Sequence, residues 1–153
     1  MGFFKRFPPL AIALCVAPVI LLVGLLGFAG PCGVHDDGSV SSCLWAARAV
    51  QGVAAVCTVL GIVRLATTDA GVARGMDVAL GLLAALVACV PGGLIGLCMM
   101  QTMRCHTLMR PFCLALAALI ALLAVADALV SARRAPAREA RRAAQASDRT
   151  ARA

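Results

Sequence analysis

The sequence predicts an all-α integral membrane protein, a four-helix bundle with both termini cytoplasmic, and three observations predict it. Hydrophobic residues make up 62% of the chain and charged residues 14%, with mean hydropathy +0.96, whereas soluble domains average roughly 45–50% apolar and about 25% charged. The apolar residues are gathered into four long runs separated by short polar segments. The basic residues collect where one orientation of those runs would put the cytoplasm. With 153 residues there is room for one bundle, over 1–132, and an Arg-rich tail, 133–153, that has lost its large apolar residues and is expected to be disordered.

The first span covers about 8–29, enough apolar residues to cross a hydrocarbon core of about 30 Å. Lys5 and Arg6 before it resemble the charged start of a secretory leader, but the apolar run is longer than the 7–15 residues usual there. The second span covers about 43–66, with Arg48 near one end, Arg64 near the other and Trp45 where an amphipathic ring lies at the headgroups. The third covers about 75–98; Pro91-Gly92-Gly93 interrupts it near its end, which predicts a kink or a loosened last turn. The fourth covers about 111–132, broken only by Asp127.

Lys and Arg are retained on the cytoplasmic side of a membrane. An orientation with both termini inside puts Lys5, Arg6, Arg64, Arg74 and all the tail arginines there, leaving only Arg48, Arg104 and Arg110 outside. The formal charge of +7 therefore resides largely beside a membrane helix, where it fits anionic headgroups rather than nucleic acid.

This topology brings Cys32, Cys43, Cys98 and Cys105 to the outer end, two in each outer loop. They are candidates for structural disulfides, since that side is oxidising, or for redox exchange, with pairing open between and within loops. Redox work needs a thiolate, and Arg104 and His106 flank Cys105, but no Cys-x-x-Cys pair occurs. A soft metal is the other candidate: Cys98, Met103, Cys105 and His106, with His35 from the first loop, offer sulfur and imidazole suited to Cu(I) or zinc. Met99, Met100 and Met109 fall in the same stretch, although Met is also an ordinary apolar filler. Cys15, Cys57 and Cys89 are expected to pack mid-membrane. Within the spans, Asp77 and Asp127 lie near the cytoplasmic ends, where Arg64 or Arg74 is placed to neutralise them as intramembrane ion pairs.

Met103-Arg104-Cys105-His106-Thr107, followed by Pro111, together with Cys43-Leu44-Trp45 at the second span, resembles the signature of an uncharacterised bacterial four-span family, domain of unknown function 4418. The chain departs from that pattern at Ser41, Ser42 and Leu44. The resemblance covers roughly 8–132 and implies a bacterial inner-membrane location but no established activity.

No phosphate loop, nucleotide motif or Ser-His-Asp arrangement is present. The function expected is that of a non-enzymatic accessory or scaffold subunit of a larger membrane complex, such as a transporter, with the outer cysteines in structural disulfides and no assigned cofactor. Its partners would be the lipid bilayer, a membrane protein and, for the tail, anionic lipids; small residues such as Gly81 and Ala85 permit close helix contact. The alternatives are a thiol–disulfide oxidoreductase linked to quinone and an outer Cys/Met/His protein binding Cu or Zn.

Overall fold

The computed structural model describes residues 9–31, 41–67, 69–100 and 102–151. Among the described residues there are four α-helices, α1 (Pro9–Leu26), α2 (Ser42–Ala66), α3 (Ala70–Cys89) and α4 (Arg110–Ala151), and a π-helical turn, Cys105–Met109, leads into α4. Each is long and apolar enough to cross a membrane, the fourth through its part Cys105–Arg133. Each of α1 and α3 packs against both α2 and α4, so sequential neighbours run antiparallel around a ring, as short connections require.

The buried residues explain the packing. In α2 they are Cys43, Ala46, Ala47, Val50, Ala54, Cys57, Gly61 and Arg64, and in α3 Ala73, Asp77, Leu80, Ala84 and Val87. Steps alternating between three and four residues keep one seam facing the neighbours, the geometry of left-handed bundles. Small side chains dominate the α2 seam, while Val56, Val59 and Ile62 face outwards. That distribution is the reverse of a water-soluble helix: lipid accepts large apolar groups outside, and small groups inside let backbones approach.

Helix ends differ from the sequence expectation for identifiable reasons. Helix α3 begins at Ala70, before the expected position 75, because the Asp69 carboxylate accepts from the Gly71 and Val72 amides at 2.8 and 3.2 Å and caps it. It also ends at Cys89, well before 98. Pro91 cannot donate to the helix ladder, and Gly92 takes φ +90°, a conformation that favours glycine. The chain turns back so that Leu94 and Ile95 amides donate to the Cys89 and Val90 carbonyls at 3.0 and 3.1 Å. The interruption thus satisfies its own backbone and releases the segment carrying Cys98 into a loop. At the other extreme, α4 continues to Ala151, where a disordered tail was expected; Ala and Arg are among the strongest helix formers, and the segment is rich in both.

Candidate functional site

Chemistry-bearing residues collect at the two opposite ends of the bundle. At one end, the start of α2 supplies Cys43, the loop after α3 supplies Cys98 and the π-turn before α4 supplies Cys105. Their sulfur atoms all lie within 4.8 Å of one another. Cys43 and Cys105 are fully buried and Cys98 is partly so. The Sγ atoms of Cys43 and Cys98 are 2.7 Å apart, and the Cys98 amide donates to the Cys43 sulfur at 3.4 Å.

Several contacts hold these elements in register. The Cys98 carbonyl is 2.8 Å from His106 Nε2; a carbonyl can only accept, so that nitrogen carries the proton and the ring ties the loop to the π-turn. Arg104 Nη2 donates to the Phe28 carbonyl at 3.1 Å, and the Phe28 and Phe112 rings meet edge to face at 5.1 Å, fastening the end of α1 to the start of α4. The π-turn widens the helix by one residue per turn, so that Cys105, Met109 and Cys113 all fall on the buried row. Insertions of this kind recur at functional sites.

Of the residues the sequence nominated, Cys43, Cys98 and Cys105 come together here. His106 holds the Cys98 loop rather than joining the sulfur cluster, and Met103 is half-buried against the core that contains Cys43 and Cys105. Cys32 and His35 lie outside the described residues. Cys113 and Cys57 are buried. Cys89, expected among the packed mid-membrane thiols, is instead exposed at the end of α3. The sequence nominates Cys43 for a disulfide or redox role but not for the metal set, in which His106 and His35 stand instead; its position as the first member of the α2 buried row is the signal that places it with Cys98 and Cys105.

At the opposite end, Arg64 of α2 reaches between α3 and α4. Its Nε donates to Asp77 Oδ1 at 3.1 Å and its Nη2 to Asp127 Oδ2 at 2.6 Å, with Ser131 Oγ at 3.5 Å. All three charged side chains are buried, and Asp77 Oδ2 has no hydrogen-bond partner. Arg74 is exposed on the outside of α3. Gly81, expected at a close helix contact, has open space above it, and Ala85 is exposed.

The family model described as Domain of unknown function (DUF4418) matches residues 14–130. Neither the curated proteins nor the solved structures gave a match.

Proposed function

Because the chain belongs to the DUF4418 family, a membership that carries no activity with it, the reading rests on the site itself: we propose that this four-span membrane protein binds a soft metal ion, Cu(I) or Zn(II), through Cys43, Cys98 and Cys105. The observation that carries the proposal is the third sulfur. A disulfide joins only two sulfurs, at about 2 Å, whereas Cys43 and Cys98 are 2.7 Å apart and Cys105 closes the same group. Metal–sulfur bonds of about 2.3 Å place three sulfurs about 4 Å apart around one ion, and a cluster closing within 4.8 Å needs only a small opening of the Cys43–Cys98 pair to reach it.

The surroundings favour the same reading. The Cys98 amide aimed at the Cys43 sulfur is the kind of outer hydrogen bond that orients metal ligands. Bound thiolates bring negative charge, and Arg48, Arg104 and Arg110 lie in the segments at this end of the bundle. In the proposed orientation they are the basic residues that the positive-inside tendency fails to hold in the cytoplasm; an anionic thiolate–metal centre gives them a reason to be there. Both termini then lie in the cytoplasm of a bacterial cell and the cysteine end faces outwards from the inner membrane.

The test is metal loading of the full chain, purified anaerobically in detergent and reduced. With Cu(I) or Zn(II) supplied against a competing chelator, about one ion should bind per chain with sulfur as its X-ray absorption neighbours. Cys43→Ser, Cys98→Ser and Cys105→Ser should each weaken it by about tenfold or more, while Cys57→Ser leaves it intact. Acid trapping and differential alkylation in cells supply the opposing outcomes. A Cys43–Cys98 disulfide that never takes metal would restore the scaffold reading; a reduced fraction that rises when respiration is blocked would establish thiol–disulfide exchange.

A further inference from the structure

Resting on the thiolate-site reading, we infer that the ion is Cu(I) and that Met99 and Met100 are its point of entry. Four of the chain's six methionines lie at 99, 100, 103 and 109, and the structure separates them by exposure. Met109 is fully buried in the core shared with Cys43 and Cys105, and Met103 is half-buried against it. These two are accounted for as packing. Met100 is 60% exposed and Met99 102%, so packing does not explain them.

Their place in the chain is specific. Met99 directly follows Cys98, whose amide and sulfur both touch the Cys43 sulfur. Two exposed, flexible thioethers therefore stand immediately outside a buried thiol cluster. Thioether sulfur is a ligand for Cu(I) and a poor one for Zn(II) or harder ions, so this approach discriminates between the two metals before either reaches the cysteines. The order from surface to interior is exposed thioether, then thiolate, the second offering a ligand set at least as strong as the first.

Entry is ligand exchange without electron transfer. A bond from Cu(I) to a methionine sulfur breaks as a bond to a cysteine sulfur forms, the displaced thiol proton passes to water, and copper remains Cu(I) throughout.

The experiment follows loading kinetics in the full chain with Cu(I) presented as its bicinchoninate complex, whose colour is lost on transfer. A Met99→Leu, Met100→Leu double variant keeps the apolar bulk and removes both thioethers. Its final Cu(I) occupancy should match the wild type while the transfer rate falls about tenfold or more, and Zn(II) loading should proceed at the wild-type rate. Wild-type Cu(I) kinetics in the double variant, or an equal slowing for Zn(II), would overturn the entry role and leave the three-cysteine site standing. Absence of any metal uptake by the reduced wild type would overturn both.

Discussion

Gly61 shows how a single residue sets the approach of two helices. A Cβ built on it would lie 2.9 Å from Cys15 Cα and 3.2 Å from the Leu14 carbonyl oxygen, so any side chain would push α1 away from α2. That carbonyl is the one whose helical partner would be the amide of residue 18, and Pro18 has none. Gly61 therefore brings α2 close to an acceptor that the proline has freed, where lipid offers no donor. Arg64, one turn further along the same row, is the other decisive residue. It joins Asp77 and Asp127, and truncating it leaves two buried carboxylates facing each other's helices. Arg64→Ala should destabilise the bundle by about 3–5 kcal/mol, whereas Asp77→Asn, which leaves one guanidinium to one carboxylate, should cost no more than about 1 kcal/mol. Thermal or denaturant unfolding of the detergent-solubilised variants checks the ranking, and equal losses would mean that charge balance is not what the cluster supplies. The sequence exposed these three residues because charges inside spans are rare. It did not separate Arg64 from Arg74 by position along the membrane, since both lie near the same boundary; the buried seams do, because Arg64 continues the Ala54, Cys57, Gly61 row while Arg74 lies beside the Ala73, Asp77 row.

At the scale of elements, what was legible followed from length and apolarity, and what was not followed from turns. Four spans could be read because each needs only a long uncharged run. The end of α3 could be read only as a kink or loosened turn at Pro91-Gly92-Gly93, because residues 90–98 are as apolar as the helix before them; the reversal around Gly92 takes them out of it altogether. That error mattered for the site: Cys98 was assigned to a span end, whereas the loop is what lets it fold over Cys43. The π-turn left no signal in the apolar pattern, since over so short a stretch a buried residue at every fourth position, Cys105, Met109 and Cys113, fits either spacing. The continuation of α4 is the opposite case, a segment with no core-forming residues that is helical by propensity alone. Beyond Arg133 it extends about 27 Å at 1.5 Å per residue, with Arg134, Arg138, Arg141 and Arg142 recurring at helical spacing. Deleting 135–153 should leave the unfolding transition of the bundle unchanged within error. A peptide of 134–153 should bind vesicles containing phosphatidylglycerol and release them as salt rises, while ignoring vesicles of phosphatidylcholine alone. Loss of the folded bundle on truncation would show a structural role for the tail helix.

Across the whole molecule, a lipid-compatible wall encloses two dissimilar polar ends, with thiols at one and a charged triad at the other. Residues such as Val56, Val59, Leu122 and Leu129 are exposed on the outer surface, an apolar belt that water would not tolerate. Inside it the core is divided: Leu21, Val50, Val87 and Met109 pack beneath the cysteines, and Leu14, Leu80 and Ile120 form a second layer towards Arg64. The depth of the two ends is therefore set by the same heptad rows that form the core, and a reversal of the protein in the membrane would exchange the compartments of thiols and triad together. The proposed orientation puts the triad end in the cytoplasm, because the tail concentrates positive charge there. In a cysteine-free background, Met99→Cys should react with an impermeant maleimide added to intact spheroplasts, since Met99 is fully exposed in the loop beside the thiol end. Arg149→Cys in the tail should react only after permeabilisation. The reverse pattern would place the cysteine cluster in the reducing cytoplasm, where metal binding by thiolates would still be feasible but delivery from outside through Met99 and Met100 would not.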